Sequence, residues 1–358
     1  METKVTFFLG ANAPTGFYSL YDELLPLDAA QRIFLLKGGA GCGKSTLMRR
    51  VAAALEEEGE RVEHIVCSGD PDSLDAIVAP DIGAAIVDAT APHVREPQLP
   101  GVVDSYIDLG RFYDHAALGP LRRDIAAATD RYRSHYGRAY RCLTAACQLM
   151  ADDRELLTTP ALEEKLHKRS KGIASRELKK TGRGPGRVSR RFLSSVNCQG
   201  HSCLFGTADA LCSRVYELVD SYGLGHSLLT DLCRAAVEGG YHVIACPSPL
   251  FPERLEHLLI PELSLAFLTS TPGLSYPGRP YRRLRIDAMA GGETLKQYRP
   301  RLKLSARVSQ SLIDEAVSAL ARAKAEHDEL EKLYNPHVDF AGVEEQAQAI
   351  IGEMKELM

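Results

Sequence analysis

The chain has 358 residues, 45% of them hydrophobic and 25% charged, with a formal net charge of −4. That length exceeds what a single core organises and predicts two lobes, while the near-neutral charge excludes a chain-wide surface for nucleic acid or anionic membrane, so any basic site must be local. No apolar stretch reaches about 18 residues, and no basic segment precedes the short Phe7-Phe8-Leu9 run, so the chain reads as soluble, cytoplasmic and free of membrane contact.

In chain order, the first strong signal is Arg32-Ile33-Phe34-Leu35-Leu36, a buried parallel strand that runs into Gly38-Gly39-Ala40-Gly41-Cys42-Gly43-Lys44-Ser45-Thr46. This is the full GxxxxGK[ST] pattern, and Leu47, Val51 and Leu55 fall on one face of the helix that must follow. Glycines suit such a loop because backbone N–H groups have to converge on phosphate oxygens at a helix N-terminus, where side chains would obstruct them. Gly38, Gly39, Ala40, Gly41, Cys42, Gly43, Lys44, Ser45 and Thr46 are the expected nucleotide-binding residues. Lys44 is expected on the β- and γ-phosphates and the Ser45 hydroxyl on Mg²⁺.

A strand at 61–67 comes next, and residues 68–82 have the length of a short parallel crossover. Within it, Asp70 and Asp72 are candidate general bases; Asp-Pro-Asp-Ser equally fits a helix N-cap with acids in its first turn. The strand Ala84-Ala85-Ile86-Val87 then delivers Asp88, the expected second metal carboxylate, and Thr90 and His93 are placed to sense a γ-phosphate. Helical spacing follows at 121–153.

Residues 165–191 carry eleven Lys or Arg against the single acid Glu177 and include Thr181-Gly182-Arg183-Gly184-Pro185-Gly186. The segment reads as a helix end running into a flexible basic linker between a first lobe (1–164) and a second (192–358), with nucleic acid as the alternative reading although no aromatic residue is interleaved for stacking. In the second lobe Cys198, His201 and Cys203 lack a CxxC pair and a fourth ligand, and the nine cysteines of the chain are scattered, so ordinary reduced thiols are expected rather than zinc.

The second half repeats the first. Pro71-Asp72-Ser73-Leu74-Asp75 aligns with Pro252-Glu253-Arg254-Leu255-Glu256, and Gly41-Cys42-Gly43-Lys44-Ser45 with Gly223-Leu224-Gly225-His226-Ser227. In the copy Lys44 becomes His226, Asp88 becomes Thr269, and Gly38-Gly39 becomes Asp220-Ser221, so one nucleotide per chain is expected. Helical spacing recurs at 304–333 and 343–358, giving each lobe a helical C-terminal extension free to pack on its sheet or on a partner. The predicted fold is α/β: two tandem P-loop NTPase-like lobes with mostly parallel sheets flanked by helices, the second degenerate.

Pro14-Thr15-Gly16-Phe17-Tyr18-Ser19, the glycine-rich loop, the run from Cys67-Ser68-Gly69-Asp70 to Asp75, and Asp88-Ala89-Thr90-Ala91-Pro92-His93 together resemble a poorly characterised family of bacterial tandem P-loop ATP-binding proteins, often labelled simply ATPase. The resemblance spans nearly the whole chain and implies nucleotide binding with hydrolysis; His226 departs from the intact second loop that it also implies. The leading expectation is therefore a Mg²⁺-dependent ATPase, with ATP favoured because no NKxD-type guanine-reading motif occurs. The alternatives are a small-molecule or nucleotide kinase, with Asp70 or Asp72 orienting the acceptor, and a nucleotide-gated module that holds nucleic acid through 165–191. Ala89 stands where many mechanical ATPases carry a catalytic Glu, and Gly39 where the partition type carries its signature lysine.

Overall fold

The computed structural model describes residues 4–358. The first lobe opens with β1 (Val5–Phe7), the hairpin β2 (Gly10–Ala13) and β3 (Gly16–Ser19), then β4 (Arg32–Lys37), whose four central residues are buried, and α1 (Lys44–Glu57). Leu47, Met48, Val51, Ala52 and Leu55 recur at helical spacing and bury one face of α1 on the sheet. With β5 (Glu63–Val66), β6 (Leu74–Ala79), β7 (Ala84–Asp88) and β8 (Asp104–Asp108), the sheet has the order β1-β5-β6-β7-β4-β8. Only β6 runs antiparallel to its neighbours.

That strand corrects the expectation for 68–82. No parallel crossover and no capped helix lies there: Asp70–Ser73 forms a turn, with Ser73 N–H donating to the Asp70 carbonyl (2.8 Å), and the chain returns as β6. All six residues of Leu-Asp-Ala-Ile-Val-Ala are buried. An apolar run of that length suits a buried strand of either direction, and the short turn selects the antiparallel one, since a parallel return needs a dozen or more residues. Gly83, at φ 64°, turns the chain into β7.

After the one-turn α2 (His115–Leu118) come α3 (Arg122–Leu157) and α4 (Pro160–Glu177), the latter capped by Thr159 with Pro160 at its first position. The second lobe repeats the plan with β9 (Val188–Arg190), the hairpin β10 (Ser194–Asn197) and β11 (Gly200–Cys203), and α5 (Phe205–Leu211). It continues with β12 (Arg214–Val219), α6 (His226–Glu238), β13 (Val243–Pro247), β14 (Leu255–Ile260), β15 (Leu265–Ser270) and β16 (Arg282–Arg285). Its order, β16-β12-β15-β14-β13-β9, is that of the first sheet strand for strand, including the antiparallel β14. The chain closes with α7 (Ile286–Met289), α8 (Gly292–Tyr334) and α9 (Phe340–Lys355). No helix of the described residues is long and apolar enough to cross a membrane.

The segment 165–191, expected as a helix end running into a flexible linker, has the helix end, and its later part also includes a short strand. Up to Glu177 it is helix, with Leu162, Leu166, Ser170 and Ile173 buried along one face, and Val188–Arg190 pairs with β13. Its charges conceal an amphipathic helix whose apolar stripe is narrow. Arg183, Arg187, Arg190 and Arg191 are engaged with Glu262, Asp28, Glu23 and Glu63, whereas Lys168, Arg169, Lys171, Lys179 and Lys180 are exposed on the surface.

The two sheets face one another across a shared core that includes Phe8, Ile33, Leu35 and Val87 of the first and Phe192, Val215, Leu259 and Leu268 of the second. On the outer faces the helices are exchanged between halves. The second half's α9 packs on α1 through Val343, Ala347, Ile350 and Met354, and the first half's α4 packs on α6 through Leu162, Leu166 and Ile173. Joining them, α3 and α8 lie side by side and antiparallel, with Arg131 on Glu326 at one end and Asp153 on Ser305 at the other. Fully buried Ala139, Ala146, Ala316 and Ala319 let the two helices approach closely.

Candidate functional site

Residues 38–43 leave the carboxyl end of β4 and deliver Lys44 as the first residue of α1. Gly41 and Gly43 adopt φ of 68° and 87°, which side chains disfavour, and a Cβ at Gly38 would press on Cys42 Sγ. The loop therefore presents its backbone to an open cavity of about 430 Å³. Lys44, with 14% of its side chain exposed, donates to the carbonyls of Gly38 (2.7 Å) and Gly39 (2.8 Å) and stands 3.4 Å from Asp88 Oδ2. Burial opposes its charge, but Asp88 and Cys42 outweigh it, so its pKa lies above the ordinary lysine value.

Asp88 arrives beside the loop because β7 pairs in parallel with β4, Leu36 opposite Asp88. Its Oδ1 accepts from Thr90 N–H (2.8 Å), and the Thr90 hydroxyl donates to the Gly38 carbonyl (3.0 Å). Ser45 Oγ accepts from Leu74 N–H (3.0 Å), which fixes its rotamer and leaves the oxygen able to ligate a cation. Ser45 and Asp88 are both all-oxygen donors on the cavity wall, a set that fits Mg²⁺.

The two expected bases separate. Asp70 lies at the cavity rim, bonded by the Ser73 hydroxyl (2.9 Å) and 3.4 Å from Lys324 Nζ, whereas exposed Asp72 accepts from Gln199 (3.2 Å) outside it. The acid inside is Asp75, 4% exposed, to which the Tyr21 hydroxyl donates (2.7 Å). Burial raises its pKa above the ordinary range, with His93 and the Tyr21 hydrogen bond pulling the other way. An acid inside an otherwise apolar strand run was the signal for it.

A second group carried no local signal at all. The end of α8 lines the cavity with Lys324, His327 and Glu331, Asn335 follows directly after that helix, and α3 contributes Tyr132 and Tyr136. Asn335 lies against the loop so closely that a Cβ on Gly41 would collide with it. The cavity beside Lys44 is thus built by both halves of the chain.

The corresponding loop of the second lobe is occupied by its own side chain. Asp220, at the position of Gly38, accepts from the N–H groups of Leu224 (2.9 Å) and Gly225 (2.6 Å), the counterparts of Cys42 and Gly43. His226 Nδ1 accepts from Leu255 N–H (2.9 Å), and Thr269, at the position of Asp88, donates to the Glu256 carbonyl. Cys198, His201 and Cys203 lie on or beside the β10–β11 hairpin and form no group of metal-ligand spacing among the described residues. In comparisons with known proteins, no family model matches the chain, and no curated protein or solved structure matches it at a significant level.

Proposed function

We propose that the first lobe binds Mg-ATP through residues 38–46 as a P-loop and hydrolyses it, and that the second lobe is a nucleotide-free structural copy. The observation that carries this reading is the convergence of a helix N-terminus, Lys44 and Asp88 on one cavity wall, with Lys44 and Asp88 3.4 Å apart. Backbone N–H groups at the start of α1 would bind the phosphates, and Lys44 would release the Gly38 and Gly39 carbonyls to reach the β/γ oxygens. Ser45 and Asp88 would hold Mg²⁺, Ser45 directly and Asp88 through the metal's water shell. Lys324, carried in by α8, adds a second cation at the rim. In the second lobe the Asp220 carboxylate already satisfies the amides that phosphate would need, and adds a repelling charge.

Calorimetric titration with a non-hydrolysable ATP analogue and Mg²⁺ should give one site per chain. Lys44→Ala should weaken binding roughly a hundredfold by deleting a charge-assisted contact of about 1.5–3 kcal/mol together with its Coulomb field, and should abolish turnover. Asp88→Asn should spare metal-free binding and remove the Mg²⁺ dependence. Wild-type affinity in Lys44→Ala, or a second site lost in His226→Ala, would refute the assignment.

A further inference from the structure

We propose that Cys67, Asp75 and His93 form a binding site for a zinc-class transition-metal dication in the wall of the first-lobe cavity. The three come from neighbouring strands: Cys67 just after β5, Asp75 in β6, and His93 in the loop after β7. Because β6 is antiparallel, its start lies at the same sheet edge as the ends of β5 and β7, which brings these residues together. One ligand atom of each lies within 4.8 Å of the other two. Tetrahedral bonds of about 2.0–2.3 Å to sulfur, nitrogen and oxygen separate ligand atoms by roughly 3.3–3.8 Å, so one ion could bind all three with adjustments on the order of 1 Å.

The imidazole supplies the independent sign that a ligand belongs there. His93 is only 9% exposed, yet its Nδ1 has no hydrogen-bond partner and faces Asp75 Oδ2 at 3.6 Å, beyond hydrogen-bond length. A buried ring nitrogen left without a partner is costly, and a cation between it and the carboxylate would satisfy both. The surroundings are those that tune a metal site. Cys67 Sγ accepts from Gly69 N–H (3.3 Å), the Tyr21 hydroxyl donates to Asp75, and the His93 ring is held edge-on by Phe17 and Tyr21 at 5.1 and 5.3 Å.

The donor set selects the ion. A thiolate, a carboxylate and a neutral imidazole sum to two negative charges, which a dication neutralises inside a buried wall. Sulfur and nitrogen ligands favour zinc-class ions over Mg²⁺, so this site is chemically distinct from the all-oxygen pair Ser45 and Asp88. Cys67 would bind as the thiolate, so metal binding would release a proton. All three residues line the cavity, which leaves a fourth coordination position open to water or to an incoming oxygen ligand.

Cobalt(II) titration of the chelator-stripped, full-length protein tests the site without reference to nucleotide. The expected result is a near-ultraviolet thiolate-to-cobalt charge-transfer band with tetrahedral visible bands, saturating at one equivalent, displaced by Zn²⁺ and resistant to excess Mg²⁺. Cys67→Ser should lose the charge-transfer band, and His93→Ala should weaken Co²⁺ by at least ~100-fold, with circular dichroism showing both folded. Lys44→Ala should bind Co²⁺ as the wild type does, so loss of the nucleotide site and loss of the metal site are distinguishable. Absence of a thiolate band in the wild-type protein, or a band that survives in Cys67→Ser, would overturn the proposal.

Discussion

At the scale of single residues, the second lobe holds a buried acid whose titration bears on stability. Glu256 is the counterpart of Asp75, and burial pushes its carboxyl up to about 7 from an ordinary 4.5. The unfolded chain therefore releases this proton before the native state does. Between those two values the native state binds more protons, so the stability contribution is full below pH 4.5 and is lost as pH rises through 7. Beside it His257, pushed down to about 3 from 6.5, has the opposite slope and costs stability as pH falls below 6.5. Glu256→Gln removes only the first effect. Its stability gain over wild type should grow by up to about 3 kcal/mol between pH 5 and pH 8 in urea denaturation, and a gain that stays constant with pH would contradict the assignment.

Among the elements, the exchanged helices bear most directly on the site. The α9 face that covers α1 buries Val343, Ala347, Ile350 and Met354, and Val343 and Phe340 stand next to Gly43. Each fully buried aliphatic side chain is worth about 1.5–3 kcal/mol, so α9 supplies several kcal/mol to the lobe that contains Lys44. A chain ending at Asp339 should melt at a markedly lower temperature, and ATP-analogue affinity should fall in parallel because the start of α1 loses its cover. Unchanged affinity in the truncated protein would mean that α9 stabilises the lobe without shaping the loop. The glycine-rich loop and Asp88 were legible because strand, loop and helix are adjacent in sequence. The parallel crossover expected over 68–82 is instead strand β6, because five apolar residues around a single acid do not state a direction, and β8, Asp-Ser-Tyr-Ile-Asp, carries too few apolar residues to stand out.

For the whole molecule, the exchange means that neither half owns all of its cover. The first half lacks α9 over α1, the second lacks α4 over α6, and the inner faces of both sheets share one core. Residues 1–183 and 184–358 produced separately should each aggregate or remain partly unfolded, exposing apolar surface. Co-expressed, they should assemble one to one and regain the thermal transition of the intact chain. A stable, monomeric, cooperatively folded 1–183 on size-exclusion chromatography and calorimetry would show that the lobes are independent.

What the sequence determined by itself was what short-range order encodes: two α/β halves in repeat, the strand that leads into residues 38–46, Lys44 beside Asp88, and the loss of both charges in the copy. Strand and helix periodicity and a contiguous loop motif carry that information within a few tens of residues. The tertiary structure alone decided how Cys67, Asp75 and His93 meet at one sheet edge, and that Lys324 and Asn335 reach the first loop from across the molecule. Those outcomes depend on the direction of β6 and on the antiparallel pairing of α3 with α8. The first is set by the short turn at Asp70–Ser73, which an apolar pattern does not announce, and the second by burial shared between segments far apart in the chain, which no local pattern records.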